Sequence, residues 1–233
     1  MVLLGTMVNG AAIIAGTLLG ILLRGIPESM KNTVMHAIGL ALLVLGAQMS
    51  LKTDNFLIVL LSLVIGALAG EAIKLEDKFT NAGLWLEKRV GSKEPGAIAQ
   101  GFITSSLVFV VGAMAILGAL DSGMKGNHDI LYAKSVMDGF IAIVLTSTLG
   151  IGVLFSAIPI LLYQGAIALF ATQITRLVPD AIMDAMITEL TAAGGIMILG
   201  IGLNLLGITR IKIANLLPGL VAAAAMTAAL QVW

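Results

Sequence analysis

Lys134 and Asp138 are the only charged residues between Leu131 and Ile174, and they stand four positions apart. On a helix that spacing puts an acid and a base on one face, where they can pair. An ionisable group held at depth in an apolar setting is costly unless paired, and inside a membrane it marks a path for an ion or solute. The plainer reading of the same spacing is an intrahelical ion pair near the outer interface. Glu189 has no base beside it and is either a ligand or a carboxylate that reaches the interface. Asn9 and Gln164 are amides that could bind a solute or bond helix to helix.

The remaining polar candidates are weaker. Ser105, flanked by Thr104 and Ser106, and Thr146, followed by Ser147 and Thr148, could line a path. Such hydroxyls more often bond back to their own helix. Asn204 and Asn215 are further candidates for a solute or ion. Pro218, one turn after Ala214, should leave that carbonyl without its helical donor, and Asn215 could serve it. Gly112, Gly150, Pro218 and Gly219 are the expected hinge positions. No catalytic set is expected: His36 and His128 are the only histidines, and no HExxH motif is present. No cofactor and no metal site is expected either.

These residues need elements to hold them, and the composition names the solvent. The chain has 233 residues, 59% hydrophobic and only 11% charged, whereas soluble domains run to about a quarter charged. The reading is an all-α polytopic membrane protein. With no cysteine, disulfides and thiolate chemistry are excluded, and a net charge of zero gives no case for nucleic acid. The first apolar run lacks a basic leader and a cleavage site, so it reads as a retained helix. The expected partners are the lipid bilayer and a small solute or ion.

Apolar stretches of ~20 residues, the length that crosses ~30 Å of hydrocarbon, fall at 3–23, 33–51 and 56–73. From Lys74 to Pro95 charges occupy one side of a helical period and Phe79, Ala82, Leu86 and Val90 the other, with Trp85 nearby. That pattern predicts a helix lying in the interface, with a short soluble connector as the alternative. A fourth span runs over 97–120. The run 131–174 is too long for one helix, and Gly150-Ile151-Gly152 with Pro159 offers a place to reverse. Spans at 188–208 and 211–232 complete about eight.

Basic residues test the count, because they stay on the cytoplasmic side of short loops. Eight spans put Arg24, Lys31, Lys74, Lys78, Lys88, Arg89, Lys93, Arg210 and Lys212 on one side, against Lys52, Lys125, Lys134 and Arg176 on the other. That is nine against four, with both termini outside. Merging 131–174 into one span turns the count to seven against six.

The chain also repeats itself. Gly101-Phe102-Ile103 recurs as Gly139-Phe140-Ile141, with Gly112 and Gly150 each eleven residues beyond the first glycine. Asn9-Gly10-Ala11 resembles Gln164-Gly165-Ala166, Leu45-Gly46 matches Leu199-Gly200, and Ile65-Gly66 falls where Pro218-Gly219 does. The expected organisation is a first triplet over 1–73, the interfacial helix over 74–95, a central pair over 97–155 and a second triplet over 158–233. Under the eight-span count the triplets are inverted in the membrane, the mark of many secondary transporters. Gly16-x-x-x-Gly20 and Gly66-x-x-x-Gly70 are small-residue faces that suit packing within one chain or a homo-oligomer.

Several words of the sequence then carry a resemblance. Gly112-Ala113-Met114-Ala115-Ile116-Leu117-Gly118, Lys134-Ser135-Val136-Met137-Asp138-Gly139, Thr191-Ala192-Ala193-Gly194-Gly195, Gly200-Ile201-Gly202-Leu203-Asn204-Leu205-Leu206 and Asn215-Leu216-Leu217-Pro218 resemble the signature segments of the YqgA-like family of bacterial inner-membrane proteins, domain of unknown function 554. The resemblance implies a bacterial cytoplasmic membrane and no reaction. Many members of that family carry a proline within the first of these segments, where this chain has Ala113.

A secondary transporter or channel for a small solute or ion is therefore the expected function, and an accessory or scaffolding subunit the alternative. Outer-side acids, Asp54, Asp121, Asp129, Asp180 and Asp184 with Asp138 and Glu189, outnumber the outer bases. They would give an external vestibule that gathers cations.

Overall fold

The computed structural model describes residues 1–22, 27–91 and 96–231. Among them the chain is helical throughout, with no strand. The α-helices are α1 (Leu4–Leu22), α2 (Glu28–Ser50), α3 (Phe56–Ala72), α4 (Leu75–Val90), α5 (Ala97–Val110), α6 (Ala113–Lys125), α7 (Asp129–Leu149), α8 (Ala157–Leu177), α9 (Asp180–Leu205) and α10 (Pro218–Gln231). Short 3₁₀ segments, Gly150–Ser156 and Ile213–Leu216, precede α8 and α10. The span ends expected at Arg24-Gly25-Ile26, Pro95 and Val232 lie outside the described residues.

The helix ends follow from side-chain and backbone chemistry. Asn55 caps α3, its Oδ1 accepting from the Leu57 amide at 3.1 Å. Pro218 sits at the first position of α10, where a missing N–H costs no intrahelical bond. Gly112 and Gly150, the matched glycines of the central repeat, end α5 and α7 with φ of 134° and 81°. Only glycine takes such angles readily, so both positions stop a helix without strain. The axis bends by 63° between α5 and α6 and by 58° between α3 and α4. The α5/α6 break forms with Ala113 and needs no proline.

Burial is distributed as lipid demands. On α3, Leu57, Leu60, Leu61, Val64 and Leu68 are exposed, whereas Val59, Ser62, Gly66 and Gly70 are buried. Most of the large apolar side chains face outward, and the inward face, which also holds Ile58, carries Ser62, Gly66 and Gly70. Among the described residues five segments are long and apolar enough to cross a membrane, or up to seven if each bent pair is one span.

Two compact units form, one of Met1–Ile38, Phe79–Val110 and Met114–Gln173, the other of Gly39–Lys78, Val111–Ala113 and Ile174–Trp233. In the first unit α1 lies along α7 in the same direction, Gly5 meeting Leu131, Gly16 meeting Gly139 and Gly20 meeting Ile143 and Thr146. Along α8 the order reverses: Gly10 meets Leu161 and Gly165 meets Leu3. The apolar stretch Asp129–Arg176, 48 residues long, thus folds back on itself after Gly150.

In the second unit Gly66 meets Gly219 and Gly70 meets Asn215, which makes α3 and α10 antiparallel. Gly46 meets Gly195 and Leu199 while Gly39 meets Gly202 and Leu206, so α2 and α9 are antiparallel too. Both GxxxG faces are therefore occupied inside the chain.

Helix α4 buries Gly83 against Ala99 and stacks Phe79 on Phe102, with ring centroids 6.2 Å apart. Trp85, Leu84 and Val90 stay exposed, and the Arg89 guanidinium lies 5.5 Å from the Trp85 ring centroid.

Candidate functional site

In the first unit three helices bring four polar side chains together. Helix α1 supplies Asn9, α7 supplies Lys134 and Asp138, and α8 supplies Gln164. All four are buried, Asn9 and Gln164 completely. The glycines that let α1 and α7 run close bring Asn9 within reach of Asp138. Lys134 Nζ donates to Asp138 Oδ2 at 2.6 Å, and Asn9 Nδ2 donates to the same oxygen at 3.1 Å. Asn9 Nδ2 also donates to Gln164 Oε1 at 3.3 Å.

The orientation of both amides follows from this chain of contacts. An ionised carboxylate only accepts, so the Asn9 atom facing Asp138 is its nitrogen. The Gln164 atom facing that nitrogen is then the carbonyl oxygen. Two groups are left over, Asn9 Oδ1 and Gln164 Nε2, and neither has a hydrogen-bond partner among the described residues. Thr6, one turn before Asn9 on α1, is buried with its hydroxyl also unpartnered. A buried acceptor and donor left without partners cost roughly 1–3 kcal/mol each, so their persistence here requires an explanation.

The charges balance. Lys134 and Asp138 leave the cluster neutral, and each is nearly out of solvent, with side chains 7% and 5% exposed. Such a pair survives in low dielectric only with further hydrogen bonds, which Asn9 provides.

Glu189 has a different setting. Its oxygens accept from the Thr53 hydroxyl at 2.5 Å and from the Asp54 and Asn55 amides, each at 3.0 Å. It braces the turn between α2 and α3. Asn204 does the same at the end of α9, donating to the Ile211 carbonyl and accepting from Thr209 and the Ile211 amide.

Asn215 joins a cluster of charges. It donates to Glu71 Oε2 at 2.6 Å and accepts from the Glu76 amide at 2.7 Å, while Lys212 bridges Glu71 at 2.9 Å. The Glu71 hydrogen bond and charge raise the Lys212 ammonium above its ordinary value. Sequence reading missed Glu71 and Glu76 as partners of Asn215, and the one available sign was two acids flanking the end of an apolar run.

The Ala214 carbonyl, expected to be left free by Pro218, accepts from the Leu217 amide at 3.2 Å. A 3₁₀ turn there moves the bond one residue earlier. Pro218 thus opens a helix and does not kink one.

Ser105 bonds back to the Gly101 carbonyl at 2.6 Å. Thr146, Thr17 and Ser106 are buried with unpartnered hydroxyls. Of the acids expected on the outer side, Asp121 is bridged by Lys125 at 3.0 Å, and Asp138 is paired with Lys134 on its own helix.

The family described as "Protein of unknown function (DUF554)" matches residues 4–228. The chain is 35% identical to "Uncharacterized membrane protein YdfK" of Bacillus subtilis (strain 168), covering 93% of this chain and 92% of that protein. It is 32% identical to "Uncharacterized protein YqgA" of Escherichia coli (strain K12), covering 99% and 98%. No solved structure matches it.

Proposed function

The chain belongs to the DUF554 family of membrane proteins, and on the geometry above we propose that it is a secondary transporter or channel for a small solute or ion. The observation that carries this is the buried cluster of Lys134, Asp138, Asn9 and Gln164, with an acceptor and a donor lacking protein partners. A structural polar network is expected to satisfy its own members. An open donor and acceptor beside an intramembrane ion pair suit a site that something else completes.

The proposed frame has eight spans. Five apolar segments become six when the reversal between α7 and α8 is counted, and the two bent pairs add one span each through α3 and α5/α6. Helix α4 then lies in the cytoplasmic interface with Trp85 and Arg89 at the headgroup level. In this frame both termini are outside, an orientation that the distribution of basic residues supports. A bacterial cytoplasmic membrane suits an all-helical chain, since outer-membrane proteins close as barrels.

Inverted repeats are part of the same proposal. Two pairs matched by sequence are also neighbours in space: Asn9 with Gln164, and Gly66 with Gly219. Equivalent residues touch where a two-fold relation brings them to its axis, and each pair lies on antiparallel helices. Such repeats place solute sites at contacts between equivalent helices.

Purified protein in liposomes tests the function. Uptake of a small solute or ion that falls at least tenfold in Asp138→Asn supports it. Tightly sealed vesicles, together with a stoichiometric partner that co-purifies from the membrane, would instead support the accessory reading.

A further inference from the structure

We infer that the cluster around Asn9 and Gln164 takes a small uncharged solute carrying a hydrogen-bond donor and acceptor side by side, such as a carboxamide or urea group. This rests on the transport reading and narrows it from any solute or ion to one chemical class.

Two independent observations lead there. The first is charge. Lys134 and Asp138 form a pair 2.6 Å apart in a buried setting, so the site is already neutral. An entering ion would have no unpaired opposite charge to meet and would remain uncompensated in low dielectric. A neutral solute avoids that cost.

The second is hydrogen-bond sense. The network fixes Asn9 Nδ2 and Gln164 Oε1 against each other and Asn9 Nδ2 on Asp138, so the unpartnered atoms are one acceptor, Asn9 Oδ1, and one donor, Gln164 Nε2. They belong to two amides already joined by one hydrogen bond. A ligand that satisfies both must donate to Asn9 and accept from Gln164, which a carboxamide or urea does with one planar group. A cation such as guanidinium has donors only and would leave Gln164 unserved. An anion such as nitrate has acceptors only and would leave Asn9 unserved. Discrimination by a polar site against a solute lacking one of its groups is strong, because a buried partner is left unpaired.

The test uses three planar probes of similar size and different charge: urea, guanidinium and nitrate. Stopped-flow light scattering of proteoliposomes reads the entry of each above protein-free vesicles. Expected is urea entry at least about tenfold faster than either ion, reduced about tenfold by Gln164→Met, which keeps the length of the side chain and removes its donor. Faster entry of guanidinium or nitrate than of urea overturns the inference and leaves the transport reading standing. Urea entry indifferent to a well-folded Gln164→Met, judged by an unchanged melting temperature, also overturns it. Entry of none of the three overturns both. The wild-type comparison needs no variant, so the outcome does not depend on how Gln164→Met folds.

Discussion

A Cβ built on Gly66 would stand 2.5 Å from the Cα of Gly219, closer than real Cβ atoms come to backbone. The contact between the two glycines sets how close α3 and α10 lie. In a membrane, where helices gain little from burying apolar surface against one another, that closeness is itself a main source of association.

Gly66→Ala is therefore expected to lower the stability of the purified protein by about 1–3 kcal/mol, the usual weight of overpacking. Gly165→Ala provides the control, since its Cβ would meet nothing nearer than Leu3 Cδ2 at 3.8 Å. Thermal unfolding in one detergent should separate the two. Equal melting temperatures would remove the close α3–α10 contact from the account.

Removing Lys134 leaves Asp138 as a buried charge whose hydrogen bond from Asn9 is not enough to hold it. Lys134→Met should destabilise by roughly 3–5 kcal/mol. The double variant Lys134→Met/Asp138→Leu should recover much of that loss, because an uncharged pair no longer needs compensation. A double-mutant cycle in detergent measures the coupling, and additive effects would mean that the 2.6 Å contact carries no energy.

Glu189→Gln should loosen the turn between α2 and α3 without touching solute selection. Its carboxylate serves Thr53, Asp54 and Asn55, and a neutral amide keeps only one accepting oxygen. Hydrogen exchange at the Asp54 and Asn55 amides should quicken, consistent with losing ~1.5–3 kcal/mol from a charged acceptor. A change in the probe ranking, with exchange unaltered, would assign Glu189 to the solute path.

The absence of cysteine makes topology simple to read. In intact cells a membrane-impermeant maleimide should label Asn127→Cys, before α7, and spare Ile208→Cys, after α9, until the membrane is opened. Both positions are exposed. Labelling of both from outside would end the eight-span arrangement.

Hydropathy, a local property, made the helices and the membrane legible in the sequence. The breaks at Gly112 and Gly150 were legible for a similar reason, since backbone freedom belongs to the residue itself. Burial of Gly83, on the face of α4 that packs on α5, was not legible: of the periodic stripe Phe79 and Leu86 are half-buried, whereas Ala82 and Val90 are exposed. Contact with α5 through Phe79 and Gly83 decided which part of the helix is covered.

Which polar residues meet was decided only in three dimensions. The sequence determined that Asn9, Gln164, Asp138, Glu189, Asn204 and Asn215 were the amides and acids to weigh, because so few polar groups occur in so apolar a chain. It put Asp138 foremost and Asn204 and Asn215 behind, but it could not say which of them meet. Tertiary structure gave Glu189, Asn204 and Asn215 to loops and helix ends, and it gathered Asn9, Asp138 and Gln164 from positions 129 and 155 residues apart. Composition and spacing act over a few residues, whereas a hydrogen bond across helices depends on how close two backbones come. Here glycines set that distance, and the sequence marked them without naming their partners.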